Sequence, residues 1–205
     1  MDIRAEISRA EDYRERVGAL VSGEYSDETK VLLLIAYTDL VIEHHGSIML
    51  LLKESHYGSA FALVRIQYEA FMRANWVIGC TTDNQVKKIA AKEFEFPPMS
   101  DIVSACDKAF GTDQFFQGIK KQAWEAMNSY THSGIRQLTR RFNAAKVEPN
   151  YTDGEIKEVI DATTTTVLLL SKLFCVVVGR QEEAEHAEQM VREFTPEIAA
   201  GTDKG

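Results

Sequence analysis

The chain has 205 residues, 45% hydrophobic and 26% charged, a composition that suits one folded domain and excludes a chain that is disordered throughout. Its net charge of −8 opposes general attraction to polyanions, so any contact with nucleic acid must come from a local basic patch. The charged N-terminus lacks the apolar segment of a signal peptide, and the apolar run at 167–178 is shorter than the roughly 20 residues that cross a bilayer. We therefore expect a soluble, cytoplasmic protein with no membrane contact.

Helix is the predicted structure of nearly every segment, because only 4 prolines and 12 glycines interrupt apolar residues that recur every three or four positions. The first helix is predicted over Ile3–Leu20. A second, capped by Ser26 or Asp27, is predicted from Glu28 to about Lys53. A third helix, over residues 57–80, is apolar around most of its circumference, which predicts that it lies at the centre of the fold.

The second half of the chain continues this pattern. A short helix from Thr82 or Asp83 is expected to end before Pro97. Thr152 and Glu155 have the spacing of a capping box at the start of a long helix. The remaining predictions are helices over 100–110, 112–131 and 181–194, with a less regular segment over 133–146. The sequence thus predicts an all-α, up-and-down bundle of about six to eight helices in one domain, 1–194, and a disordered tail, 195–205.

Three charged residues form a stripe on the otherwise apolar third helix. Arg65, Glu69 and Arg73 are spaced four apart, so their side chains lie on one face. An unpaired charge in such a place is costly, and the stripe therefore either pairs internally or lines a cavity. Two hypotheses remain open: a structural network that fixes helix register, and a wall that binds phosphates or carboxylates.

A second polar cluster lies near residue 130. Asn128, Tyr130 and His132 are followed by Arg136 and Arg140, which makes this the most basic short stretch in the chain. If the segment after residue 134 continues as a helix, His132 and the two arginines share one face. A solvated helix end and a binding or catalytic site are both consistent with this pattern.

The segment from Asn128 to His132 resembles the core of the HEPN superfamily, whose helical bundles carry an arginine, a polar residue, a short spacer and a histidine. Asn128 matches the polar position and His132 the histidine, whereas Met127 stands where the arginine would be. Residues 63–70 and 130–134 also look like an uncharacterised bacterial branch of HEPN-like bundles. The likeness spans about residues 28–178.

The resemblance implies a protein that acts on or binds RNA or nucleotides, as a defence or toxin-type ribonuclease with His132 as acid or base. It also implies a homodimer in which the motif histidines face a shared cleft. Arg65, Arg73 or Arg136 would have to replace the missing arginine. The alternative is a catalytically inactive bundle that binds a protein partner or a small anionic ligand, which Met127 and the acidic net charge favour.

Other chemistries have little support in the sequence. The glutamates and histidines at 43–56 lack the paired Glu-x-x-His spacing of di-iron bundles, so no metal is predicted. No phosphate-binding loop, dinucleotide fingerprint or nucleophile elbow occurs, so no cofactor is predicted either.

Overall fold

The computed structural model describes residues 1–195, and these form an all-α helical bundle. Nine helices and one short antiparallel hairpin make up this part of the chain. Their bounds are α1 Ile3–Leu20, α2 Thr29–Lys53, α3 Tyr57–Cys80, α4 Asp83–Ala90, α5 Met99–Phe110, α6 Phe115–Thr131, α7 Ile135–Thr139, β1 Phe142–Asn143, β2 Lys146–Val147, α8 Asp153–Val177 and α9 Gln181–Phe194. All but the first residue of the predicted disordered tail lie outside the described residues.

The third helix is central, as its sequence predicts. α3 packs against α2, α5, α6 and α8, and twelve of its residues are buried. α6 runs antiparallel to α3, because Phe61 meets Tyr130 at one end and Phe71 meets Phe116 at the other. This antiparallel packing places Asn128, near the end of α6, beside Arg65 of α3. α8 also packs against α3.

Side-chain caps fix several helix ends. The Asp2 carboxylate accepts hydrogen bonds from the first turn of α1, and the predicted capping box of Thr152 and Glu155 is present at the start of α8. The predicted cap of α2 is wrong. Ser26 accepts a hydrogen bond from the Glu28 amide ahead of the helix, and Glu28 occupies the cap position without a capping side-chain bond.

The segment after α6 is more ordered than its sequence indicates. Residues 134–148, which we call the arm, contain α7 and a hairpin that pairs Phe142 with Val147 and Asn143 with Lys146. The helix therefore does not continue from His132 through Arg140. It ends at Thr131, and Ser133 takes a left-handed conformation with φ of 52°.

A layer of buried polar side chains ties three helices together. On α2, the His45 imidazole contacts the Thr164 hydroxyl of α8 at 3.0 Å. From α3, the Gln67 amide donates to the carbonyls of Val41 and Thr163. Buried hydrogen bonds of this kind fix the register of helices that apolar packing alone leaves free to slide.

α2 and α8 are the described helices that are long and apolar enough to cross a membrane. Core helices of bundles share these properties, and most of the apolar window of α8 is buried here.

Candidate functional site

The charged stripe of α3 forms a ladder. The Glu69 carboxylate accepts from Arg65 Nε at 2.8 Å and from Arg73 Nη2 at 2.9 Å. The three side chains are 18%, 19% and 32% exposed in the order Arg65, Glu69, Arg73, so the ladder lies at the edge of the bundle, in partial contact with water. Arg73 also lies over the ring of Phe96, 5.5 Å from its centroid.

A tight turn at the end of α6 places His132 next to this ladder. The Gly134 amide donates to the Ser129 carbonyl at 2.6 Å, and the His132 amide donates to the Asn128 carbonyl. A β-carbon on Gly134 would lie 2.6 Å from the Ser129 hydroxyl and 3.1 Å from the Ser129 backbone, so this approach requires glycine. The turn ends the helix and leaves the exposed imidazole directed toward α3.

Arg65 joins the two predicted polar clusters. Its Nη1 donates to Asn128 Oδ1 at 2.5 Å and to His132 Nε2 at 2.8 Å. Because a guanidinium only donates, the His132 Nε2 atom must accept, which requires a neutral imidazole with its proton on Nδ1. Within residues 1–195, Arg65 Nη2 makes no hydrogen bond, and its two protons are free for a ligand.

An aromatic side chain borders the cluster on the α6 side. The Arg65 guanidinium lies 4.7 Å from the Trp124 ring centroid, and Lys120 Nζ lies 5.2 Å from the same ring. Cations over a tryptophan face are attracted by its π electrons. The signal for Trp124 in the sequence is the spacing of four that relates Lys120, Trp124, Asn128 and His132, which indicates one shared side of α6.

The other predicted site residues lie away from this cluster. Tyr130 is buried, with its ring 5.0 Å from that of Phe61. Because α6 ends at Thr131, the helix face expected to join His132 with Arg136 and Arg140 does not form. The structure thus brings Arg65, Glu69, Arg73, Asn128 and His132 together and leaves the remaining three out.

Arg136 and Arg140 form ion pairs of their own. Arg136 pairs with Glu125 of α6 at 3.2 Å, and Arg140 pairs with Glu155 of α8. Both arginines line one end of a groove between α6 and α8, whose floor is α3. The two parts of this groove have volumes of about 530 and 490 Å³ and share lining residues, among them Met127.

Met127 and Asn128 face different surfaces of the molecule. Its side chain is 6% exposed and faces the groove, whereas Asn128, about 100° further around α6, faces Arg65. Residue 127 therefore points away from the Arg65 cluster. The cation next to Asn128 and His132 comes from Arg65 of the neighbouring helix.

No three His, Cys, Asp or Glu side chains within residues 1–195 form a group that could hold a metal ion.

Comparison with known proteins gives a family without a known activity. The model of a family of unknown function, DUF6988, matches residues 38–199. No curated protein and no solved structure matches the chain. The matched region contains α3, the Arg65 cluster and the groove, and most of the chain lies within it. The chain therefore belongs to the DUF6988 family.

Proposed function

We propose that this protein is a HEPN-like bundle that acts on RNA or nucleotides, with the cluster of Arg65, Asn128 and His132 as its site. The single observation that carries the proposal is that Arg65 of α3 contacts both motif side chains of α6, at 2.5 and 2.8 Å. A cation, an amide and an imidazole thus occupy one exposed position even though the sequence motif lacks its arginine.

The chemistry available to this cluster is metal-independent cleavage of RNA. When the 2′-hydroxyl of a bound ribose displaces Arg65 Nη1 from His132 Nε2, the freed lone pair removes the proton of that hydroxyl, and its oxygen then attacks the adjacent phosphorus. The bond to the 5′-oxygen breaks, that oxygen takes a proton from solvent water, and a 2′,3′-cyclic phosphate remains. The free Nη2 protons of Arg65 stabilise the charge that develops on the phosphate oxygens.

Neighbouring residues position this machinery. Glu69 accepts a hydrogen bond from Arg65 Nε, and Asn128 accepts one from Arg65 Nη1. These two bonds fix the orientation of the guanidinium group. Trp124 supports the Arg65 guanidinium from a third direction, with its ring centroid 4.7 Å away. A homodimer, which the HEPN likeness implies, would bring two such clusters to one cleft, in the manner of a defence or toxin-type ribonuclease.

Cleavage of total cellular RNA in the presence of EDTA tests the proposal. Replacing His132 or Arg65 with Ala is expected to reduce the cleavage rate by about 10²–10³-fold. His186, an exposed histidine of α9, provides the control, and His186→Ala should cleave at the wild-type rate. Wild-type protein without activity on any RNA, or cleavage unchanged in both site variants, would disprove the ribonuclease.

A second candidate is an inactive bundle that binds a small anionic ligand or a protein partner. The hydrogen bond between Arg65 Nη1 and His132 Nε2 favours this candidate, because it occupies the lone pair that a general base would need. This candidate predicts calorimetric binding of inorganic phosphate or a nucleotide that Arg65→Ala abolishes, with no RNA cleavage. Cleavage that depends on His132 would rule it out.

A further inference from the structure

The groove between α6 and α8 contains none of the residues of the Arg65 cluster. Its α3 floor runs from Phe61 to Phe71, about 15 Å, and its two parts, of about 530 and 490 Å³, are each in the size range of small-molecule sites. Apolar side chains from α3, α6 and α8 line both parts. Because Met127 faces the groove and Asn128 faces Arg65, a ligand bound here is independent of the proposed cleavage.

One threonine of the groove has a hydroxyl group without a partner. The hydroxyls of Thr163, Thr164 and Thr166 each donate to a carbonyl one turn earlier in α8. The Thr165 hydroxyl makes no hydrogen bond within residues 1–195, although Thr165 is only 7% exposed and lines the groove. A buried hydroxyl without a partner is costly, so a polar group of a ligand would be stabilised at this place.

A second buried side chain in the same part of the groove also has a polar atom without a partner. Gln67, on the floor, is 1% exposed, and its Nε2 donates to the carbonyls of Val41 and Thr163. Its Oε1 accepts no hydrogen bond from the part of the chain that the structure describes. Since Oε1 can only accept, whereas the Thr165 hydroxyl donates or accepts, a hydroxyl group of a ligand suits both.

The charges that line the groove are balanced except at one residue. Its three cations are all engaged in ion pairs: Arg136 with Glu125, Arg140 with Glu155, and Lys157 with Asp161. Glu158 lines both parts of the groove, and its carboxylate makes no ion pair or hydrogen bond within residues 1–195. The uncompensated charge is therefore negative, which favours a ligand with a cationic group over a carboxylate or a phosphate.

Glu158 and Thr165 lie on one face of α8. They are seven residues apart, so their side chains have nearly the same direction and are separated by about 10 Å along the helix axis. Ala162 lies between them, and Ala123 and Met127 of α6 form an apolar wall of the same groove. A ligand that contacts both polar points therefore has a cationic end, a neutral polar end and a hydrocarbon chain between them.

We infer that the groove binds an aliphatic amino alcohol, with its ammonium group at Glu158 and its hydroxyl group at Thr165 and Gln67. The hydrocarbon chain lies along Val64 and Met127, where its removal from water supplies affinity. The two polar ends supply selectivity, because a ligand without the hydroxyl leaves Thr165 without a partner and a ligand with a carboxylate is repelled by Glu158.

Isothermal titration calorimetry with probes of one chain length tests the inference. 8-Amino-1-octanol, whose extended chain matches the separation of Glu158 and Thr165, should bind at least about fivefold tighter than octylamine, which lacks the hydroxyl. It should bind at least about tenfold tighter than 8-hydroxyoctanoate, which has the opposite charge. A protein that binds none of these probes, binds all of them equally, or binds 8-hydroxyoctanoate most tightly would overturn the inference.

Reversing the charge at Glu158 tests the cationic end. Glu158→Lys should bind 8-hydroxyoctanoate more tightly than 8-amino-1-octanol, the reverse of the wild-type order. Because Glu158 is exposed, circular dichroism should show unchanged helix content. Glu43→Lys, at an exposed position of α2, is the matched control and should keep the wild-type order. The same order in Glu158→Lys as in the wild type would contradict the assignment of the ammonium position.

Removing the Thr165 hydroxyl tests the neutral end. Thr165→Val keeps the shape of the side chain and should weaken binding of 8-amino-1-octanol about fivefold while leaving that of octylamine unchanged. Thr38→Val is the matched control, because Thr38 is a buried threonine of α2 outside the groove, and both affinities should stay at the wild-type values. Equal changes for the two probes in Thr165→Val would show that the hydroxyl does not contact the ligand.

Discussion

Arg65 and His132 are 67 positions apart in the chain, yet Arg65 Nη1 lies 2.8 Å from His132 Nε2. This hydrogen bond exists only while the imidazole is neutral, because a protonated Nε2 has no lone pair to accept it. The same pair thus joins the two polar clusters that lie far apart in the sequence.

Introducing arginine at position 127 should destabilise the protein without increasing RNA cleavage. Met127 is buried against the groove, and a longer, charged side chain there would lose its hydration or force its packed neighbours apart, at a cost of several kcal/mol. Urea denaturation of Met127→Arg measures this loss. Met127→Leu keeps the volume and should cost less than about 1.5 kcal/mol. A stable Met127→Arg protein with increased RNA cleavage would contradict the assignment of Arg65.

Replacing Glu69 with Gln should cost about 1–2 kcal/mol of unfolding free energy. Glu69 is 19% exposed and pairs with two arginines, so the loss is smaller than for a fully buried charge network. Glu188 of α9 is the matched control, because it also pairs with two cations, Lys172 and Arg192, but is 40% exposed. Glu188→Gln should cost less than about 0.5 kcal/mol, and equal losses in both variants would contradict the difference in burial.

Gly134→Ala should lower stability by about 1–3 kcal/mol, because the added β-carbon meets the Ser129 backbone at 3.1 Å. The turn must then open, so His132 moves away from Arg65 and its NMR signals shift. Gly118 lies within α6 with no atom near its added β-carbon, so Gly118→Ala should instead stabilise the protein by about 0.5–1 kcal/mol. Unchanged His132 signals in Gly134→Ala would show that the turn does not position the imidazole.

Stability should fall in mild acid because of His45. Burial, with a contribution from Arg14, lowers the pKa of His45 from 6.5 to about 3. The unfolded chain therefore takes up a proton below about pH 6.5 that the folded chain refuses, and stability present at neutral pH is lost as the pH falls toward 3. At pH 5 the loss is about 2 kcal/mol.

The hydrogen bonds of His45 suggest the variant that tests this acid sensitivity. The Thr164 hydroxyl donates to the Ile160 carbonyl, so it accepts from His45 Nε2–H, and Nδ1 has no partner. His45→Gln keeps a donor near Thr164 but does not titrate. Urea denaturation between pH 7 and 5 should show a flatter dependence for His45→Gln, and an equal slope in both proteins would assign the sensitivity to other groups.

Local signals predicted the helices well, because breaks and caps are encoded within a few residues. Ile3–Leu20, Tyr57–Cys80 and Gln181–Phe194 begin and end where the sequence indicates. The start of α2 was predicted within one residue of Thr29, but its cap was wrong because Ser26 and Asp27 precede the cap position, which Glu28 occupies. The arm was missed because a five-residue helix and two-residue strands leave almost no periodic pattern.

The candidate site was only partly predictable. The spacing of Arg65, Glu69 and Arg73 correctly indicated one face, since i, i+4 geometry is local. The contact of Arg65 with Asn128 depends on how α3 and α6 pack, which no local pattern encodes. Arg136 and Arg140 were predicted to share a helix face with His132. They do not, because the turn at Gly134 separates the end of α6 from α7.

Met127 and Asn128 are consecutive, yet one borders the groove and the other the Arg65 cluster. Inserting or deleting a single residue in α6 before Met127 would rotate these side chains by about 100° relative to the preceding turns and mismatch one surface or the other. Point substitutions change one side of this helix at a time, whereas a change in its length alters both. The spacing from Phe116 to His132 is therefore constrained by two surfaces at once, more tightly than the identity of most residues between them.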